Sequence, residues 1–486
     1  MQVATKSAKQ ALTKSAMQAT TKSPIQPAGW LQRKTLPMNH DLAAGNEARL
    51  PNWHGSRTPP RTDHRFFVRY HTLLMAVALG AMYANLPVYL YVLDTRLLPK
   101  FIYFGIFAFI APLMAIRWQA LGDYLVSPFA LWALLLFSLN MIHLAGFPAS
   151  ADVGGAAFMD MHAEARRSMI TTRAQYILFA LFLGFVPYIS PARMYLRIMF
   201  VLMAVVPCAV IVDFANPGLL YPVDLTGAVL GRAAAMFINP NLAGEAILHI
   251  VVLGFAVLHR RYRMPLFLLA GIAILTTFSR AAIIAWVVLL GLFIYKRTLP
   301  KSAVISLTIA IGILLVFIGS FESYISSREE FEDAATNILS RLNFFSSFTF
   351  DDDSSEERAG VIQAGWELFL QNPLFGSGAG ATHFWRHRGS THNQLLLLAA
   401  EYGVMGILLW GWMLIMLCKS RFFSDPGLRY AMAFLFAFMS MFTHQMLDAA
   451  SYWLATFALV CATPGSAPAG SLTPGPWPRQ RMARAR

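Results

Sequence analysis

The feature that most constrains this chain is a succession of apolar stretches, most of them long enough to cross a bilayer as a helix, separated by short polar connections. A membrane-crossing helix needs roughly 17 to 25 apolar residues. Stretches that meet or approach that length fall at 70–93, 98–116, 125–146, 174–189, 195–214, 241–258, 264–278, 281–295, 302–320, 393–418, 430–446 and 447–462. The spacing predicts an all-α integral membrane protein of about twelve transmembrane helices, with a large periplasmic loop between the ninth and the tenth. Composition agrees, because hydrophobic residues make up 57% of the chain and charged residues only 13%, about half the charge of a soluble domain.

Five regions follow from this division. Residues 1–69 form a polar, basic tail with a loose repetition of Ala, Thr, Lys and Ser. It has no apolar core or small-residue cleavage site of a secretory signal, and is expected to be disordered and cytoplasmic. Residues 70–320 hold helices one to nine, 321–391 the large loop with short helices, 392–463 helices ten to twelve, and 464–486 a flexible tail rich in Pro, Gly and Arg.

Loop charge orients the bundle, since short basic loops stay on the cytoplasmic side. Basic residues fall on alternate connections: Arg117, Arg193 with Arg197, His259 to Arg263, Lys296 to Lys301, Lys419 to Arg429, and both tails. The two long connections, 147–173 and 321–391, carry most of the acidic residues and are expected outside. The net charge of +14 is then accounted for by tails and inner loops against anionic headgroups, without nucleic acid. Cys208, Cys418 and Cys461 lie in or beside apolar spans, where small buried hydrophobe is the expected role.

Chemistry concentrates on the outer side. Arg280 follows Thr276, Thr277, Phe278 and Ser279 at the start of an apolar helix. A guanidinium there requires water, a snorkelling path or an anionic partner. Arg232 precedes Asn239, Pro240 and Asn241, and the asparagines can cap the next helix or face a ligand. The large loop carries Arg328, Arg341 and Arg358 and an acidic run at 351–357 whose spacing does not fit a calcium loop. Apolar residues recur at helical spacing from Arg358 to Leu370, and Asn372-Pro373 closes that helix. Gly376, Ser377, Gly378, Ala379 and Gly380 then form a turn whose backbone amides could approach a ligand. His392 and Asn393 stand where the next span begins, ahead of Glu401, Gly403 and Gly406. An imidazole at a membrane mouth can do proton chemistry, and this context separates His392 from His383 and His387.

At these residues the chain resembles the O-antigen ligase and polymerase family of multi-spanning glycosyltransferases. The resemblance rests on Arg232 with Asn239-Pro240-Asn241, Thr277-Phe278-Ser279-Arg280, Arg358 with Trp366 and Pro373 to Gly378, and His392-Asn393 with Glu401-Tyr402-Gly403 and Gly406; by motif it covers 195–412. It implies transfer of a glycan from undecaprenyl pyrophosphate to a hydroxyl of an acceptor, such as a lipid A-core sugar, at the outer face of the bacterial inner membrane, with no metal and no cofactor. His392 would take the acceptor proton, and Arg280 and Arg358 would hold the pyrophosphate. Arg232 or Arg341 would support them, and Asn239, Asn241, Asn393, Gly376 and Gly378 would line the substrate. A polymerase of lipid-linked repeats is the nearest alternative, followed by a protein O-oligosaccharyltransferase. A polysaccharide transporter or flippase is the non-enzymatic one, but the two halves show no internal repeat.

Overall fold

A computed structural model describes residues 61–146, 163–190, 196–222, 231–300, 302, 305, 353–385, 387, 390–444, 446–448 and 450–462. The N-terminal tail to residue 60, nearly all of the expected ninth span, Arg341 and the C-terminal tail lie outside the described residues. The described residues belong to one compact unit, and they contain α-helices and no strand. In chain order the helices are α1 Arg61–Tyr83, α2 Leu86–Leu93, α3 Pro99–Ile116, α4 Trp118–Leu125, α5 Pro128–Leu144, α6 Ala163–Ile189, α7 Arg197–Ala215, α8 Pro240–Phe255, α9 Arg260–Thr276, α10 Arg280–Tyr295, α11 Asp353–Gln371, α12 Gln394–Tyr402, α13 Val404–Lys419, α14 Pro426–Met439 and α15 Ser451–Cys461.

Three of these, α3, α6 and α7, are single helices long and apolar enough to cross a membrane. The bent pairs α1–α2 and α4–α5 raise the number to five, and α8, α10, α13, α14 and α15 are shorter apolar helices. Every expected span in the described residues therefore coincides with a helix or a broken helix, in keeping with a multi-pass membrane protein.

The breaks have local causes. The first expected span bends by 59° where Asn85 takes a left-handed conformation ahead of Pro87. The span expected at 393–418 is two helices, because Gly403 sits at φ 64, ψ −147, a conformation essentially closed to other residues. The helix in the span expected at 430–446 stops at Met439, and the described residues between 440 and 450 are not helical. Two helices begin earlier than their apolar patterns do: α6 at Ala163 rather than 174, and α11 at Asp353 rather than Arg358.

Helices α8 and α15 form the centre, and they are buried on every side from Leu242 to Phe255 and from Ser451 to Val460. Helix α6 packs against α5, α15 and α3, and α8 against α7, α9 and α14. The outer helices expose Phe101, Phe104 and Phe109 on α3, Phe200 and Val205 on α7, and Leu408 and Ile415 on α13, as lipid contact demands. Cys208 belongs to this lipid-facing set: it is exposed rather than buried, because its side of α7 turns outward.

The centre is apolar but pinned by polar pairs. Glu245 of α8 accepts from the Tyr452 hydroxyl at 2.8 Å and from Trp453 Nε1 at 2.9 Å, and His249 one turn on meets Thr456 Oγ1 at 3.0 Å. Thr456 also bonds to the hydroxyl of Tyr83, so α1, α8 and α15 share one buried chain of contacts. Unpaired, each such group would cost on the order of 1 to 3 kcal/mol.

Gly403 gives a direct check. A Cβ there would lie 2.5 Å from the carbonyl oxygen of Leu374 in a backbone conformation that already excludes alanine. Gly403→Ala should destabilise the protein by at least about 2 kcal/mol, seen as a lower melting temperature in detergent. Unaltered melting would show that the break between α12 and α13 is not required.

Candidate functional site

Two groups of side chains meet at one end of the bundle. The first gathers around Arg232, which is buried; its Nε donates to the Thr277 carbonyl at 2.8 Å and its Nη2 to Asn241 Oδ1 at 2.9 Å. Asn239 caps α8, accepting from the Asn241 amide at 2.9 Å. The segment 233–235 is fastened on both sides, since Ala233 N–H donates to the Thr276 carbonyl, and Asp213 Oδ2 accepts from the amides of Ala234 and Ala235. Arg280 is the first residue of α10, three residues past Thr277. The turn before it lies close on α8: a Cβ on Gly244 would stand 2.7 Å from the Ala282 methyl and 3.6 Å from Ser279 Cβ. Arg232, Asn241 and the Arg280 turn are thus held together, as the sequence suggests.

The second group surrounds Arg173, whose side chain is 0% exposed. Its Nε and Nη2 donate to the two oxygens of Asp448 at 2.7 and 3.0 Å, and its Nη1 to Glu401 Oε2 at 2.6 Å and to the Tyr402 hydroxyl at 3.0 Å. Tyr402 donates onward to Asn140 Oδ1, and Thr382 Oγ1 donates to Glu401 Oε1 at 2.9 Å. α12 and the connection before α15 bond directly to this guanidinium of α6, and α5 and the segment after the glycine turn join through Tyr402 and Glu401. A bidentate carboxylate and a second carboxylate offset the desolvation of Arg173.

His392 stands beside this group, directly before α12, which Asn393 caps by accepting from Leu396 N–H at 2.9 Å. Its ring is half-buried and meets His444 edge-on, with centroids 4.8 Å apart and planes at 84°. His444 meets His383 in turn at 5.6 Å, and His383 Nδ1 is 3.8 Å from Glu401 Oε1. Burial, then the adjoining His392 and His383, pushes His444 down to about 3, so that ring is neutral at ordinary pH. No three His, Cys, Asp or Glu side chains among the described residues are placed to share a metal ion.

The two groups share one end because α8 reaches both. Glu245, one residue beyond the close contact at Gly244, bonds to Tyr452 and Trp453 at the start of α15, and the connection before α15 carries His444 and Asp448. Backbone strain marks the same end. Among the described residues six non-glycines have positive φ, and four of them, Ala235, Ile238, Phe278 and His392, flank Asn239, Arg280 or the imidazole itself. For a β-branched residue such as Ile238 this conformation is a true outlier, and such strain gathers at functional sites.

The other expected residues are placed as follows. The side chain of Arg358 lies outside the description, but its backbone is in α11, seven residues before Gly365 and on the same helix face. Gly365 abuts Thr391, next to His392, with a built Cβ 2.7 Å from the Thr391 methyl. That register puts Arg358 roughly 10 Å along α11 from the neighbourhood of His392. In the glycine turn, the amides expected to face a ligand are occupied: Gly376 donates to Asn372, Ser377 to Ala400, Gly378 to Glu401 and Ala379 to His143 Nδ1. What the glycines provide is proximity, because a Cβ on Gly376 would lie 2.3 Å from the Glu401 backbone and one on Gly378 2.5 Å from Arg166 Nη2.

Sequence reasoning missed Arg173, Asp448 and His444. Arg173 and Asp448 fall at the edges of apolar segments and were absorbed into a loop boundary and a span, although opposite charges at the ends of two spans are a signal for a buried pair. His444 sat inside an expected span with nothing to mark it.

Residues 265–411, from α9 into α13, match the family described as O-antigen ligase. That segment contains Arg280, Arg358, the glycine turn, His392, Asn393 and Glu401. No curated protein matches the chain.

Replacing Glu401 by Gln removes one of the two charges facing Arg173. Breaking a buried pair costs about 3 to 5 kcal/mol, so Glu401→Gln should lower the melting temperature strongly. Asp448→Asn should cost less, because the Asp448 side chain is 21% exposed while that of Glu401 is 0%. Equal and small effects on melting would show that the Arg173 cluster does not hold this end together.

Proposed function

We propose that this protein, through its O-antigen ligase domain, moves a glycan from undecaprenyl pyrophosphate to a hydroxyl of a lipid A-core sugar, at the periplasmic face of the inner membrane. His392 accepts the proton of the attacking hydroxyl. The acceptor oxygen forms the new bond to the anomeric carbon as the bond from that carbon to the pyrophosphate oxygen breaks. Negative charge gathers on the departing pyrophosphate, and the guanidinium groups of Arg280 and Arg358 hold it, with Arg232 or Arg341 in support. Arginine suits that task because its planar fork binds phosphate oxygens bidentately and stays charged. Preorganised positive charge at the departing oxygens supplies leaving-group stabilisation of several kcal/mol. Direct displacement inverts the anomeric configuration, and no metal is called for.

The observation that carries this assignment is the strained backbone at 235, 238, 278 and 392, which brackets the proposed cationic and basic residues at one end of the bundle. Arg232, tied to Thr277 and Asn241, holds the Arg280 turn in position from behind. Asn239 and Asn393 act by setting helix starts, Asn241 by holding Arg232, and Gly376 and Gly378 by letting the chain approach Glu401 and Arg166, so their part in substrate binding is positional.

His392→Ala should abolish transfer from a lipid-linked donor while the protein still reaches the membrane, and retained transfer would remove the base assignment. At the clamp, Arg280→Ala should lose about two orders of magnitude or more in rate, and Arg280→Lys should recover only part of it, since an ammonium lacks the fork. Normal rates in Arg280→Ala would dismiss the clamp at that position. A chelator should leave activity intact; reversible loss would bring the acidic run at 351–357 forward as a cation site.

A further inference from the structure

Unsatisfied polar atoms are not spread evenly through this protein. Among the described residues eight buried side-chain nitrogens or oxygens have no hydrogen-bond partner, and four of them, on His383, Ser390, Gln394 and His444, belong to the surroundings of His392. Ser390 and Gln394 lie two residues to either side of His392 and are 6% and 2% exposed. His444 packs edge-on against the His392 ring and His383 against His444. A native protein rarely leaves such atoms unsatisfied, and a cluster of them marks a place that another molecule completes.

The orientation of Gln394 is fixed. Its Oε1 accepts from the Met446 amide at 3.2 Å, so the side-chain nitrogen is the end left over and cannot be satisfied by flipping the amide. The unsatisfied Nδ1 atoms of His383 and His444 belong to imidazoles, and the one on His383 is 3.8 Å from Glu401, too far for a hydrogen bond. The set thus offers an amide donor, a hydroxyl and two ring nitrogens that serve as donor or acceptor according to tautomer.

Charge narrows the ligand. Around Arg173 the carboxylates of Glu401 and Asp448 are matched by two guanidinium groups, since Arg166 interacts with Glu401 as well, so the neighbourhood carries no surplus charge to recruit an ion. Both carboxylates already hold Arg173, and Glu401 also accepts from Thr382. What remains is a neutral requirement for groups that both donate and accept, and vicinal hydroxyls on a sugar ring meet it.

We infer that Ser390, Gln394, His444 and His383 form a neutral sugar-binding subsite beside His392, which receives the acceptor glycan and is separate from the arginines that hold the pyrophosphate. The assignment of acceptor over donor sugar rests on the glycosyl-transfer function proposed above; the sugar subsite itself does not. In that arrangement the subsite presents one hydroxyl of the acceptor to the His392 ring, and the arginine group takes the anionic end of the donor.

The test uses the full chain in nanodiscs and two ligands: a panel of methyl hexosides and heptosides, followed by saturation-transfer NMR, and undecaprenyl pyrophosphate, followed by a direct binding assay. The unsubstituted chain should bind at least one glycoside saturably. Gln394→Leu and His444→Phe should each weaken that binding about tenfold or more, with undecaprenyl pyrophosphate binding unchanged within about twofold. Ser390→Ala, which removes one hydroxyl and little packing, should weaken it several-fold and carries the test if a larger substitution does not fold. If no glycoside binds to a chain that still binds undecaprenyl pyrophosphate, or if the substitutions leave glycoside binding unaltered, ordered water fills the site and the sugar subsite is overturned. Glycoside binding by a chain that fails to take up undecaprenyl pyrophosphate would keep the subsite and refute the donor assignment instead.

Discussion

One guanidinium organises the end of the bundle where chemistry is proposed. Arg173 leaves α6 in a region closed to water and takes a carboxylate from each of two directions, Asp448 ahead of α15 and Glu401 on α12. Neither partner is near it in sequence, and the guanidinium is the charge that both acids face. The cost of burying the three charges is offset only when all three are present, so α6, the C-terminal end of α12 and the connection before α15 are fixed as a unit. The glycine turn joins the same unit through Thr382 and the Glu401 backbone.

That fixed unit is what allows a half-buried imidazole to be held in a costly conformation. His392 precedes α12 by two residues, so its backbone inherits whatever rigidity the Glu401 end of that helix possesses. Across the bundle, Asp213 performs a comparable task, binding the amides of Ala234 and Ala235 where the chain bends into Asn239 and α8. Two anchors of unlike chemistry, one an ion cluster and one a carboxylate on backbone amides, therefore hold the two groups that α8 connects.

Much of the architecture was readable from the chain, and the misses have physical reasons. Apolar length located the helices because lipid imposes the same requirement on every span, irrespective of neighbours. It could not locate breaks such as Gly403, where a tertiary approach of Leu374 decides the backbone angle. Arg280, Arg232 and His392 stood out because polar residues at apolar boundaries are costly. Arg173 and Asp448 did not, because each sits at a boundary where a charge is unremarkable until its partner is known. The amides of the glycine turn were expected to face outward, since glycines advertise close approach without saying to what; here the approach is to α12 and to Arg166.

The left-handed backbone of His392, at φ 49, bears on which residues the position tolerates. Asparagine enters that region more readily than most side chains, and glycine enters it freely, whereas valine or isoleucine would meet a severe steric conflict. Histidine is itself among the more tolerant residues there. Genetic drift at this site is thus filtered twice, once by what the ring does and once by what the main chain permits. Asparagine, which abolishes titration while respecting the dihedral, is the cleanest probe of the first filter alone.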